Sequence, residues 1–281
     1  MLSYRHAFHA GNHADVLKHF ILVELTRYLA QKDKPFWYID THAGAGAYAL
    51  DSAYAAKLAE YKDGIARLWA RNDLPPVLTA YVELVCRMNP ERRLQSYPGS
   101  PYFALWTLRE DDRLRLFELH SKDARLLAEN FSDAGKRVIV EAEDGFAGLK
   151  ALLPPPPRRA LILIDPSYEQ KQDYERVVQA LKEALTRFPG GTYALWYPQL
   201  TRLEAHELPR RLKHLPAAKW LHVALRVREP AKDGFGMHGS GMFIVNPPWT
   251  LHATLAATMP YLAEVLAIDD GAGFTLEQQE E

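Results

Sequence analysis

The chain has 281 residues, 48% of them hydrophobic and 25% charged, with a formal net charge of −1. That is ample for one substantial core, or for one domain carrying an insertion, and no apolar run approaches the roughly 20 residues that a membrane span needs. Residues 1–9 carry no apolar signal core and the one cysteine, Cys86, has no internal partner, so a membrane-spanning or disulfide-stapled protein is excluded and cytoplasmic residence is the expectation.

The near-neutral charge conceals an asymmetry. Residues 269–281 hold five acidic side chains and no basic ones, which leaves 34 basic against 30 acidic residues in the rest, a body at +4. Within that body Arg158 and Arg159, then Arg210, Arg211 and Lys213, then Arg226, Arg228 and Lys232 form clusters that could contact phosphate, although solvated surface charge is the favoured reading for any single one.

The first twenty residues contain His6, His9, His13 and His19 together with Asp15. A helix starting near Asn12 and running to Tyr28 places Asp15 and His19 on one face. Clustered His and Asp residues are common zinc or iron ligands, and Asp40 and His42 extend that reading. The competing reading is a segment whose polar side chains line a ligand pocket.

Residues 36–40 form an apolar strand that closes in Asp40 and runs into Thr41-His-Ala-Gly-Ala-Gly46. This resembles the first cofactor motif of Rossmann-like methyltransferases. A dinucleotide fingerprint would need a third glycine where Ala49 stands, which argues against a nicotinamide enzyme. Residues 51–95 read as a small helical subdomain inserted over the cofactor cleft, with helices at 53–70 and 77–88 separated by the breaker at 72–76. Ser100 is expected to cap a helix over 101–109 with Pro101 in its first position.

Two strands follow, one from Leu114 to Glu118, where such a site holds ribose hydroxyls, and one over 137–142, shortly before Asp144 and Gly145. Asp144 is a candidate acceptor for an adenine amine. Next, Ala160-Leu-Ile-Leu-Ile164 suits a strand covered on both faces of a parallel sheet, and 174–188 reads as its crossover helix. The strand delivers Asp165-Pro166-Ser167-Tyr168 to the sheet edge where ligands sit in open α/β folds.

That tetrapeptide resembles the Asp/Asn-Pro-Pro-Tyr/Phe motif of amino-group methyltransferases that use S-adenosylmethionine. An exocyclic adenine amine has its lone pair delocalised into the ring, so it needs acceptors to hold its hydrogens while it attacks. The Asp165 carboxylate and the Pro166 carbonyl are those acceptors in this reading, and Tyr168 offers a flat face to an extruded base. A turn at a strand end is the alternative. Three further strands at 193–197, 222–227 and 242–245 complete a seven-stranded, mostly parallel sheet, with a glycine-rich loop over 232–241 near the substrate. The last strand ends in Asn246-Pro-Pro-Trp249, which matches the same motif better by pattern alone. Chain order favours Asp165, since the fourth strand lies beside the first and the seventh inserts further along the sheet.

Taken together, Tyr4-Arg-His6 with His9-Ala-Gly-Asn-His-Ala-Asp-Val-Leu-Lys-His19, Asp40-Thr-His-Ala-Gly-Ala-Gly46 and Leu161-Ile-Leu-Ile-Asp-Pro-x-Tyr-Glu169 resemble the RlmJ family over essentially the whole chain. Its members methylate N6 of an adenosine, adenine 2030, in 23S ribosomal RNA. The resemblance implies a Rossmann-like class I methyltransferase core at 1–50 and 96–281 and S-adenosylmethionine as cofactor. It implies cofactor contact by His19, His42, Ser100, Glu118, Asp144, Gly145 and Asp165, and catalysis by Asp165. Tyr4, His6 and Lys18 are implied to position the RNA. Ser167 stands where the family has a second proline. No metal, no membrane and no obligate protein partner is implied. Two other functions remain as readings of the residues: a metal-dependent hydrolase built on His6, His9, His13 and Asp15, and a non-catalytic RNA-binding module.

Overall fold

The computed structural model describes residues 6–51, 58–217 and 219–280. Its centre is an eight-stranded sheet in the order β10-β8-β9-β7-β6-β1-β4-β5. The strands are β1 (Trp37–Asp40), β4 (Arg113–Phe117), β5 (Val138–Glu141), β6 (Ala160–Ile164), β7 (Thr192–Gln199), β8 (Trp220–Arg226), β9 (Gly239–Val245) and β10 (Gly273–Gln279). The pairings β5-β4-β1-β6-β7 are parallel, and β9 and β10 run against the rest. A short antiparallel pair, β2 (Ala47–Ala49) with β3 (Ser96–Pro98), stands apart.

Strand β6 shows why an uninterrupted apolar run belongs at the middle. All five residues are buried. Leu161 and Leu163 pack into one core cluster, whereas Ala160, Ile162 and Ile164 pack into the other. Each of these Leu and Ile side chains contributes roughly 1.5–3 kcal/mol by leaving water. On the first face lie α1 (His13–Ala30), α3 (Pro76–Met88), α4 (Ser100–Thr107) and α9 (Leu251–Val265). The second face carries α6 (Gly145–Leu152), α7 (Gln172–Arg187) and α8 (Leu203–Lys213), while α5 (Ser121–Asn130) sends Leu127 to the first.

Helix α1 begins where expected, because Asn12 Oδ1 accepts from the amides of Ala14 and Asp15, each at 3.0 Å. It is buried on nearly all sides from His13 to Thr26, so its polar residues are held inside the protein.

Three expectations need correction. The sheet has eight strands, not seven: residues read only as an acidic tail form β10, an edge strand antiparallel to β8. Its mostly exposed, polar sequence gives no apolar alternation to read; the strand is held by backbone pairing and by Glu277, which accepts from Lys213 Nζ at 2.5 Å and lies 2.9 Å from His222 Nδ1. The helix expected over 53–70 begins in residues outside the described ones and continues as a 3-10 turn, Glu60–Asp63, and a short α2, Ile65–Trp69. They break at Gly64 (φ −131°, ψ −114°), and the Ile65 amide donates to Gly11 O. Finally, Gly99 rather than Ser100 caps α4, because the Ser100 hydroxyl is committed to Asp40 at 2.7 Å. Among the described residues no helix is long and apolar enough to cross a membrane.

Candidate active site

The carboxyl ends of β1, β4, β5 and β6 open onto a cleft of about 1020 Å3, counted to its open mouth. His19, His42, Ser100, Glu118, Asp144, Gly145 and Asp165 all line it. Glu118 Oε2 accepts from the Gly44 amide at 2.8 Å and Oε1 from the His120 amide at 2.7 Å. Its burial raises its pKa. Asp144 caps α6 by accepting from Phe146 N and is paired with Arg176 at 2.7 Å. Burial depresses His42 to about 4, so its imidazole is neutral beside the Thr41 hydroxyl at 2.8 Å.

Two glycines make the cleft wall thin. At Gly44 (φ +61°) a Cβ would stand 2.1 Å from Tyr48 Oη, and at Gly145 it would stand 1.9 Å from Thr41 O. No side chain fits at either point, so the backbone itself forms the surface. Such a cradle, with carboxylates at the second and third strand ends, fits a nucleoside bearing an amino-acid tail. His19 adds a buried Nε2 with no hydrogen-bond partner, its other nitrogen lying 2.8 Å from Tyr97 Oη.

Two carboxylates that the sequence offered only as metal-ligand candidates or, for Asp40, as the end of the first strand organise this floor. Asp40, fully buried, accepts from Tyr38 Oη and Ser100 Oγ at 2.7 Å each and from the His42 amide at 3.2 Å. Asp15 is the centre of a buried charge chain. Its Oδ2 accepts from the Gly11 amide at 2.9 Å and lies 2.8 Å from His6 Nε2, while Oδ1 is 3.0 Å from Lys18 Nζ. Lys18 Nζ in turn donates to Asp165 Oδ2 at 2.6 Å. The spacing of Asp15 and Lys18 on one helical face was the available signal.

The electrostatics follow from burial against pairing. Burial disfavours the charged form of Asp15, yet His6, Lys18 and His19 outweigh it and hold the carboxyl well below its ordinary value. Burial likewise opposes the Lys18 charge, and its two carboxylate partners raise its pKa regardless. At Asp165 burial wins over Lys18, and the carboxyl is pushed up to about 6.

A second cavity, about 1300 Å3 with its mouth, lies on the far side of this chain. His6, Lys18, Asp165 and Ser167 line both spaces, so the charge chain is the partition between them. Trp196, Arg228 and Met237 line the second cavity only, together with Leu58, Glu60 and Asp63. Among the described residues of 51–95 none lines the first cleft, and those that reach a cavity border the second.

Pro166 lines the first cleft. Tyr168 does not meet its expectation: it is 2% exposed, its hydroxyl donates to Trp196 O at 2.7 Å, and its ring packs against Tyr174. With φ +51° the backbone turns the ring inward, and no face is offered to either cavity. Tyr4 lies outside the described residues. The N-terminal histidines are distributed among different partners: His6 on Asp15, and His9 on Glu60 at 3.0 Å. Among the described residues no group of three or more His, Cys, Asp or Glu side chains is gathered as a metal site.

A family model described as ribosomal RNA large subunit methyltransferase D, RlmJ, matches residues 33–277. The ribosomal RNA large subunit methyltransferase J of Haemophilus influenzae is 46% identical over 278 residues, covering 99% of this chain and 98% of that protein. The protein of the same name from Escherichia coli is 49% identical over 262 residues, 93% of each. A Legionella pneumophila protein of known crystal structure superposes with a TM-score of 0.90 at 36% identity, covering 97% of this chain and 99% of that one.

Proposed function

Since the chain belongs to the RlmJ family of ribosomal RNA large subunit methyltransferases, we propose that it methylates the N6 amine of an unpaired or extruded adenosine in 23S ribosomal RNA, across the partition between its two cavities. S-adenosylmethionine is the methyl donor. It supplies an electrophilic methyl group on a positively charged sulfur.

One observation carries the proposal: Asp165 is 13% exposed and belongs to the walls of both cavities. In this reading the cofactor occupies the cleft of Glu118, Asp144 and Gly145, and the target base enters from the side of Trp196. Glu118 would accept from the ribose hydroxyls and Asp144 from the adenine amine, and Ser100, held by its bond to the buried Asp40, would stand at the methionine end. Lys18 occupies one oxygen of Asp165 and leaves the other to accept an N–H of the target amine, with the Pro166 carbonyl as second acceptor. Both acceptors favour a more tetrahedral nitrogen, and holding the two reactants in line provides most of the acceleration. A carboxyl near 6 is a suitable resting place for the proton that the nitrogen sheds after transfer. His6 and Asp15 position Lys18 and so act through it.

The test is incubation of the protein with methyl-labelled S-adenosylmethionine and unmodified bacterial ribosomal RNA, followed by nucleoside analysis. Label in N6-methyladenosine from the large-subunit RNA is expected. Label in a different nucleoside, or in small-subunit RNA alone, would overturn the assignment.

A further inference from the structure

The outer wall of the second cavity is the connection between β8 and β9, which contributes Arg228, Gly236 and Met237 to it. This loop is shaped rather than slack. The Gly234 amide donates to Ala231 O at 2.8 Å, the Thr201 hydroxyl donates to Gly234 O at 2.7 Å, and Asp233 Oδ1 accepts from the Phe235 amide at 3.1 Å. At its base Arg228 Nη2 donates to Met237 O at 3.0 Å. Gly234 and Gly236 take φ +76° and +86° on either side of Phe235, and the result is a phenyl ring 79% exposed at the tip.

A phenyl ring 79% exposed offers a flat apolar face on which a base can stack. Lys232, three residues before Phe235 in the chain, is exposed, and Arg228 lines the cavity. In the same loop Asp233 accepts from the Phe235 amide, and the Glu229 backbone amide donates to Asp269 at 3.0 Å. An exposed ring with an arginine and a lysine on the same loop, beside a cavity large enough to admit a nucleotide, is a combination by which proteins hold single-stranded nucleic acid, with stacking on the ring and phosphates on the cations.

We propose that the β8–β9 loop grips the RNA strand beside the target nucleotide, with Phe235 stacking on a neighbouring unpaired base and Arg228 and Lys232 meeting the flanking phosphates. The proposal rests on the reading that RNA enters the second cavity, and it adds the residues that hold the strand beside the target. A DNA duplex or a paired RNA stem has no free base face for Phe235, so the loop favours single strands.

The experiment measures fluorescence anisotropy of a labelled single-stranded oligoribonucleotide copied from the adenosine-bearing region of large-subunit ribosomal RNA. Because Phe235 is exposed, Phe235→Ala leaves the fold and S-adenosylmethionine binding unchanged. It should weaken RNA binding about tenfold, within the range for one lost base stack, and Phe235→Trp should restore it. The double substitution of Arg228 and Lys232 by Ala should lower the salt dependence of binding by about one unit of slope per phosphate lost. Wild-type affinity in Phe235→Ala, or failure of Trp to restore it, would overturn the proposal and assign the tip to a protein partner. Binding requires no methyl transfer, so an RNA complex that depends on Phe235 without methylation would defeat the proposed reaction and leave this inference standing.

Discussion

Two tetrapeptides of nearly the same look end two neighbouring regions of the sheet, and they do opposite things. Asp165-Pro-Ser-Tyr168 follows β6, which runs with β1 and opens on the cavities. Asn246-Pro-Pro-Trp249 follows β9, which runs antiparallel to β7, so that Val245 pairs with Tyr193 at the start of that strand. It therefore emerges at the amino ends of the parallel strands, a full strand length from the cofactor cleft. There Asn246 Nδ2 donates to Pro189 O at 2.8 Å and Gly191 O at 2.7 Å, which closes the turn after α7. Strand direction, rather than the quality of a motif, decides which carboxamide or carboxylate meets a substrate.

The comparison breaks most severely at the carboxyl end, where the charge chain is buried. Lys18→Met leaves Asp15, 1% exposed, and Asp165 without their cation, and stability measured by urea unfolding should fall by about 3–5 kcal/mol. Removing Asp165 as well should cost less than the sum of the two single changes, because the groups share one network. A Lys18→Met protein as stable as wild type would mean that the pair is not closed in solution. Next in size, Asp165→Asn keeps the shape but weakens the acceptor. Single-turnover methylation should slow by about 100-fold or more, the scale of losing one preorganised polar group at a reacting centre, with S-adenosylmethionine affinity changed far less. Wild-type turnover would remove Asp165 from the chemistry.

Much of this end was legible in the sequence because each strand has a local signal. The run Ala160–Ile164, short, apolar and rich in Ile and Leu, suits the doubly covered strand it forms, and strand-end carboxylates at 118, 144 and 165 follow the rule for open sheets. Other features carried no such signal. β10 has no apolar alternation, since it is an edge strand with little to bury. The inward turn of Tyr168 depends on a positive φ that a tyrosine rarely takes and on the Trp196 carbonyl, which is 28 residues away in sequence. The partition between the cavities joins residues 147 positions apart, Lys18 and Asp165, and no local pattern contains such a pair.

A pH series sharpens the comparison with a smaller effect. With Asp165 near 6, its acceptor form is complete at neutral pH and is lost as pH falls through that value, so the methylation rate at pH 5 should be about tenfold below its plateau. Stability takes the opposite sign from this group. Its folded pKa lies above its unfolded one, so its contribution rises as pH falls from about 6 toward 4. Slower turnover at pH 5 without unfolding distinguishes the two, and a flat rate profile between pH 5 and 7 would show that Asp165 stays ionised.

The smallest expected change in turnover belongs to the amino end. Asn246→Ala removes the donor from two carbonyls and places an alanine at φ +53°, so the urea midpoint should drop by the equivalent of about 1–3 kcal/mol. Single-turnover methylation should nevertheless stay at the wild-type rate below the unfolding transition, because neither cavity contains residues 246–249. Trp249, 81% exposed, gives a second reading of the same end: Trp249→Ala should alter neither rate nor RNA affinity. If either substitution slowed transfer as much as Asp165→Asn does, the tetrapeptide with two prolines would be part of the reaction after all. The antiparallel register of β9 against β7 would then have to be wrong, which makes this pair of variants a test of the topology as well as of the site.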